Sequence, residues 1–212
     1  MSTIWNDIYK NYLAGGAPWG TITDELNPEL VHYVRHAVFP LHRALDIGCG
    51  MGLYLQFLQQ CGFETTGLDS SEAALAAAAK RLDHRGQLIL ADMYEYPLPE
   101  AAYDFILSHC VLHHGRKKQV AALLTQILAA LVPGGKIFVS LPDAASMQHW
   151  SMMAEHEMLE DGTCLPVTGP EKGLPHSFYS REEIETLFAG YDELQLILNE
   201  RETRWLITGT KR

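Results

Sequence analysis

Ala44-Leu45-Asp46-Ile47-Gly48-Cys49-Gly50-Met51-Gly52 decides how the rest of this 212-residue chain is read. An apolar run carries an acid, three alternating glycines follow, and Leu53-Tyr54-Leu55-Gln56-Phe57-Leu58 continues with helical spacing. The pattern predicts a strand, a sharp turn and a helix. Glycines let the backbone leave the strand abruptly and let a ligand lie against the main chain. The unpaired N–H groups of the helix's first turn face the same spot. Asp46 adds a carboxylate at the carboxyl end of the strand, suited to a cationic group. A loop built only to cradle phosphate gains nothing from it.

Working outward, Thr23–Phe39 reads as a helix, with Leu26, Leu30, Val31, Val34 and Val38 as its stripe and Pro40 as its stop. Arg43–Ile47 is the first strand, and Leu53–Cys61 a helix closed by Gly62. Glu64–Leu68 is a second strand, followed by Asp69 and a helix to Leu82 with Ser70 or Ser71 as N-cap. Gln87–Ala91 and Tyr103–His109 are the third and fourth strands, Gln119–Leu131 a helix, and Lys136–Leu141 the fifth strand. Ser180-Arg181-Glu182-Glu183 is a capping box opening a helix to about Phe188. Leu194–Leu198 and Arg204–Thr210 alternate, joined by the polar link Asn199-Glu200-Arg201-Glu202. Short apolar strands alternating with helices argue for a parallel sheet covered on both faces. The expected fold is α/β and Rossmann-like: a seven-stranded, mostly parallel sheet with an antiparallel C-terminal hairpin strand and helices on both faces.

The length suits one domain over residues 1–212, with residues 1–40 as an amino-terminal helical cap. Residues 142–179 form a long insertion, read as a lid or substrate element. Met147, Trp150, Ala154 and Met158 lie at helical spacing in its first half, and its second half, through Gly169-Pro170 and Gly173, is loop-like. Sixteen basic residues against twenty-six acidic ones give a net charge of −10, which opposes non-specific attraction to nucleic acid or anionic membranes. Cys49, Cys61, Cys110 and Cys164 show no C-x-x-C spacing, so free thiols in a reducing compartment are expected. No basic-then-apolar leader opens the sequence, and no apolar run reaches membrane-spanning length. The reading is cytoplasmic.

In an open α/β sheet, ligands gather at the carboxyl ends of the strands. Four strands here end in Asp46, Asp69, Asp92 and Ser108-His109. Asp69 lies about twenty residues beyond Gly48, where a carboxylate can accept from both hydroxyls of a ribose. Asp92 can accept from an exocyclic adenine amine while Met93 covers the ring. A nicotinamide-dinucleotide oxidoreductase shares the strand-turn-helix, but its fingerprint needs glycine at position 53, which is Leu53 here. That alternative also leaves Asp46 and Asp92 without a role.

These segments resemble the class I S-adenosylmethionine-dependent methyltransferases from about Arg43 to Leu141. The likeness is carried by Asp46, Gly48, Gly50 and Gly52, by Gly67-Leu68-Asp69-Ser70-Ser71, and by Ala91-Asp92. Tyr103-Asp104-Phe105-Ile106-Leu107-Ser108-His109-Cys110-Val111-Leu112-His113-His114 and Leu131-Val132-Pro133-Gly134-Gly135-Lys136 extend it. The resemblance implies S-adenosyl-L-methionine as cofactor and S-adenosyl-L-homocysteine as product, with Asp46 near the cofactor's amino group. Asp46, Gly48, Cys49, Gly50, Asp69, Ser70, Asp92, Met93 and Ser108 are then the cofactor-binding set. It also implies that an amino-terminal segment crosses the cofactor, through Tyr12 or Trp19.

The acceptor is harder to read. Ser108-His109-Cys110-Val111 lacks the Pro-Pro-aromatic motif of enzymes acting on exocyclic or amide nitrogens, and Ser108 and Pro142-Asp143-Ala144 do not match a catechol-type magnesium set. A small organic molecule, methylated on O, N or S, is what remains. His109 and His176 are the candidate bases, needed only if the acceptor arrives protonated. His176 sits at the end of the insertion, where it can fold back toward the sheet edge. His109 and His113 share a zinc-like i, i+4 spacing, but His109 ends a strand and the sequence offers no third ligand beside them, so no metal is expected. A protein that binds the cofactor without transferring a methyl group is the alternative.

Overall fold

The computed structural model describes residues 4–20, 22–150, 154–201 and 203–212. Helix α1 covers Ile4–Leu13 and α2 Pro28–His36; strand β1 covers Arg43–Ile47, α3 Leu53–Gln60, β2 Glu64–Asp69 and α4 Glu72–Arg81. Strands β3 (Gln87–Leu90) and β4 (Tyr103–Ser108) follow, then α5 (Lys117–Ala130) and β5 (Leu131–Pro142). After a 3₁₀ turn at Ala144–His149 come β6 (His156–Met158), β7 (Cys164–Pro166), α6 (Arg181–Leu187), β8 (Tyr191–Leu198) and β9 (Arg204–Lys211).

Seven strands form one sheet in the order β3-β2-β1-β4-β5-β9-β8, with β9 antiparallel to both of its neighbours. The order reverses between β1 and β4, so the connections diverge there and open a crevice at the carboxyl edge. The expected Rossmann-like architecture is the observed one.

Strand alternation divides the core into two faces. Leu45, Ile47, Ile106, Ile137, Val139 and Ile207 point to one side, onto α5 and α6 through Val120, Leu124, Ile127 and Ile184. Ala44, Phe105, Leu107, Phe138 and Leu206 point to the other, onto α2 and α3 through Leu30, Val34, Phe57 and Leu58. Nearly continuous apolar strands are what a sheet buried on both faces requires.

Several boundaries differ from the sequence reading. Helix α2 begins at Pro28 rather than Thr23, because the Asn27 side chain accepts from the Leu30 N–H and Pro28 suits the first turn. It ends before Val38, which is 78% exposed and does not belong to the apolar stripe. Strand β5 begins at Leu131, since α5 runs directly into it. Within the expected amino-terminal cap, α1 is a separate helix that the sequence reading does not single out; it docks on α4, where Asn6 Oδ1 accepts from the Ala73 N–H and the Ser71 hydroxyl. The insertion is not helical as far as Met158. Met158 lies in β6, paired with Cys164 in a small hairpin, and residues 151–153 of the expected helix lie outside the described residues. Met1–Thr3 and Glu202 lie outside them too.

Candidate active site

The crevice at the switch point is a cavity of about 590 Å³, within the size range of cofactor and small-molecule sites. The turn after β1 forms its floor. Gly48 has φ +76°, and a side chain there would collide with Val111. Gly50 has φ +51°, and the Tyr9 hydroxyl occupies the space a Cβ would need. Both positions favour glycine on conformational grounds, and Gly48 on steric grounds as well.

Asp46 and Asp69 stand on this floor, 2% and 7% exposed. Asp69 is well held: its Oδ2 accepts from the Gly50 N–H and its Oδ1 from the Ser71 N–H, both at 2.8 Å. Asp46 Oδ2 is buried and has no hydrogen-bond partner among the described residues. Burial, and then the nearby Asp69 charge, push the Asp46 carboxyl up to about 8. Burial also raises Asp69, against the opposing backbone N–H groups. Two buried acids sharing a cavity, one of them unpartnered, make a site for cationic or hydrogen-donating groups.

The cavity wall is built by several elements. Asp92 and Met93 line it from the turn after β3, with Asp92 Oδ1 accepting from the Tyr94 N–H at 2.9 Å. His109 and Cys110 line it from the end of β4, and the His109 ring meets Tyr54 edge-on at 5.6 Å. His109 Nδ1 is buried with no partner among the described residues. Cys110 holds φ +64°, rare for a residue with a side chain, and its N–H donates to the Ser140 hydroxyl at 2.7 Å. Burial alone would raise the Cys110 thiol, but Arg204, His109 and the Ser140 hydroxyl outweigh it and bring the thiol down to about 6.

Asp46, Gly48, Cys49, Gly50, Asp69, Ser70, Asp92, Met93 and His109 thus share one wall, as the sequence anticipates. Four candidates do not line it. Ser108 is fully buried and donates to the Ile47 carbonyl, tying β4 to β1. Tyr12 lies beyond the lining part of α1; Trp5 and Tyr9, earlier on that helix, cover the cavity instead. Trp19 donates from Nε1 to Glu171 Oε1 at 2.8 Å. His176 is fully buried behind the wall, its Nε2 on Glu171 Oε2 at 2.7 Å and its Nδ1 on the Leu174 carbonyl at 2.9 Å. His114 stands on the wall in its place, ring centroids 4.9 Å from His176.

Sequence reasoning missed Trp5, Tyr9, Tyr54 and Leu174 as lining residues. The i, i+4 spacing of Trp5 and Tyr9 was a usable signal for one aromatic helix face. The polar hairpin link was read only as a turn, yet Asn199, Glu200 and Arg201 reach the cavity rim.

A family model described as a methyltransferase domain matches residues 44–135. Over that segment, which is under half of the chain, the protein is similar to S-adenosylmethionine-dependent methyltransferases. It is 30% identical over 149 residues to a ubiquinone biosynthesis O-methyltransferase of Marinobacter nauticus, covering 64% of this chain and 61% of that protein. To a trans-aconitate 2-methyltransferase of Delftia acidovorans it is 34% identical over 103 residues, covering 47% and 37%. The chain thus spans about half the length of the curated relatives it matches. Among solved structures, the Burkholderia thailandensis 1,6-didemethyltoxoflavin-N1-methyltransferase superimposes with a TM-score of 0.68 at 19% identity, covering 99% of this chain and 88% of that one. That likeness is one of fold.

The family's cofactor fits the residues present. The unpartnered Asp46 oxygen is matched to an ammonium, Asp69 keeps acceptor capacity beyond its two backbone bonds, and the glycine floor leaves the main chain open to contact.

Proposed function

We propose that this chain transfers the methyl group of S-adenosylmethionine to an oxygen, nitrogen or sulfur atom of a small organic molecule. The observation that carries the proposal is Asp46, a buried carboxylate with an unpartnered oxygen on a glycine floor, facing the same cavity as Asp69. In this reading Asp46 holds the amino group, Asp69 the ribose hydroxyls, and Asp92 with Met93 the adenine. When bound, the cofactor supplies an already activated sulfonium methyl. The chain's own task is then to bring the acceptor into line and keep water out, and such positioning is worth about 7–11 kcal/mol in favourable cases.

The acceptor side is assigned to the part of the cavity beyond β4, which Tyr54, His109, Cys110, Asn199 and Arg201 help to line. His109, with its unpartnered Nδ1, is the candidate to take a proton from a protonated acceptor. His176, with both nitrogens engaged, is assigned a positioning role through Glu171. The O-methyltransferase name of the Marinobacter relative makes oxygen the first acceptor atom to test. The proposal includes a cytoplasmic protein without a nucleic-acid or membrane partner, supported by four unpaired cysteines and a net charge of −10. Among the described residues no helix is long and apolar enough to cross a membrane.

The test is calorimetry with S-adenosylmethionine and S-adenosylhomocysteine, followed by a labelled-methyl screen over hydroxyl, amine and thiol metabolites. The expected result is binding of both compounds, weakened at least tenfold by Asp69→Ala, and turnover with one acceptor class. Absence of binding would remove the proposal. Binding without turnover on any class would favour a cofactor-binding protein.

A further inference from the structure

Behind the cavity wall lies a polar cluster that the cofactor site leaves unused. His113 and His114 follow β4 in a tight turn, and the insertion delivers His176 against them. The contact is fixed by the backbone: the Ser177 N–H donates to the His113 carbonyl at 2.9 Å, and the Ser177 hydroxyl to the Gly115 carbonyl at 2.6 Å. His176 is further pinned by reciprocal backbone bonds with Cys164, at 2.7 and 2.8 Å. The three rings therefore meet on a rigid frame.

Two facts about these rings call for a ligand. One nitrogen from each of His113, His114 and His176 lies within 4.8 Å of the other two. Both nitrogens of His113, a residue only 1% exposed, have no hydrogen-bond partner among the described residues. A buried imidazole with neither nitrogen satisfied is costly, and native interiors rarely tolerate one. Glu171, 2% exposed, sits on His176 Nε2 and supplies the only carboxylate the described contacts bring to the cluster.

We propose that His113, His114 and His176 form a binding site for a borderline divalent cation of the zinc type. Three imidazoles with one open position are a recurrent zinc donor set, and imidazole also suits neighbouring transition metals. The geometry is close to what such an ion needs. Three atoms no more than 4.8 Å apart have a common centre at most about 2.8 Å from each (4.8/√3), against about 2.1 Å for a zinc–nitrogen bond. Ring movements of under about 1 Å close the difference. Hydrogen bonds from a second ring nitrogen to a carbonyl or carboxylate usually orient ligating histidines. His176 has one of each, on Leu174 and Glu171, so whichever nitrogen turns to the ion leaves the other anchored. Glu171 is itself held by Trp19. Because His114 is also part of the cavity wall, an ion held here borders the acceptor space. On the methyl-transfer reading, and resting on it, an ion held by these residues would lower the pKa of a hydroxyl or thiol acceptor that reached its open position.

The test uses the whole chain, stripped with a chelator and titrated with Zn²⁺ and Co²⁺ in the absence of cofactor. One equivalent of Zn²⁺ per chain is expected, with the visible bands of low-coordinate Co²⁺ ligated by nitrogen. His114→Ala, at the half-buried position, should abolish both signals while the circular dichroism spectrum stays native. Glu171→Gln should weaken binding by about 10–100-fold. His113→Gln serves as a second ligand variant should His114→Ala unfold. The proposal is overturned if the stripped wild-type chain takes up neither ion, or if folded ligand variants bind as tightly as wild type. Cofactor calorimetry on the same metal-free sample reports the methyl-transfer reading separately, so failure of one does not imply failure of the other.

Discussion

Asp46 is the residue on which the cofactor site turns, and its titration makes the site testable. An ordinary carboxyl at 3.8 loses its proton well below neutrality, whereas the folded chain holds Asp46 at about 8 through burial and the Asp69 charge. The native state therefore keeps a proton that the unfolded chain has released. The Asp46 contribution to stability is full below about pH 4 and is lost as pH rises toward 8. A cationic ligand reverses the preference by pairing with the ionised form. Affinity for S-adenosylmethionine should accordingly tighten between pH 6 and 8, by up to about tenfold per unit. Calorimetry in buffers of different ionisation enthalpy should show proton release on binding at pH 7. Asp46→Asn should weaken binding and flatten the pH dependence. A flat wild-type profile would show that no cation meets Asp46.

Cys110 gives a second test at this scale. Its thiol, brought down to about 6, lies on the cavity wall, whereas burial raises Cys49, Cys61 and Cys164. Thiolate is the reactive form. A small alkylating reagent at pH 7 should label Cys110 first, and S-adenosylhomocysteine should slow the labelling; peptide mapping reads both. Equal labelling of all four cysteines would refute the assigned electrostatics.

At the scale of elements, Asp104 at the start of β4 accounts for the entry into β1. Its carboxylate accepts from the N–H groups of Leu41, His42 and Arg43, at 2.6, 2.9 and 2.8 Å, in a site 1% exposed. It holds His42 at φ +52° and sets the register of the strand that carries Asp46. Three backbone donors lose a charged acceptor on substitution, and bonds to charged groups are worth about 1.5–3 kcal/mol each. Asp104→Ala should cost about 3 kcal/mol or more, read as a lower urea midpoint at an unchanged slope. Asn should recover part of the loss, since an amide oxygen can still accept.

Over the whole molecule, pieces distant in sequence meet at the cavity. Helix α1 contributes Trp5 and Tyr9 above Gly50, the insertion contributes Leu174, and the turn between β8 and β9 contributes Asn199 and Arg201. A ligand bound among them stabilises every piece that contacts it. S-Adenosylhomocysteine at a hundred times its Kd should add about 2.7 kcal/mol. For a chain of this length that raises Tm by about 5–11 °C, read by differential scanning calorimetry. Deleting residues 1–13 should weaken cofactor binding while the sheet stays folded.

The sequence by itself determined the order of the seven sheet strands along the chain and the helices between the first five, and with it the carboxyl-edge acids Asp46, Asp69 and Asp92. These follow from local rules, because strand alternation, glycine turns and N-caps such as Ser71 are decided within a few neighbouring residues. Boundaries that depended on a competing cap, as at Asn27, were legible only once the side chain was seen to close the helix. Tertiary structure alone decided which side chains share the cavity. Tyr9 rather than Tyr12 meets the glycine floor because α1 is docked through Asn6 on α4, a contact that no local pattern encodes. His176 lies behind His114 because the insertion is stitched to the turn after β4 by Ser177. His176 meets the adjacent pair His113-His114 only through packing across the chain, so the trio has no signature in the local sequence.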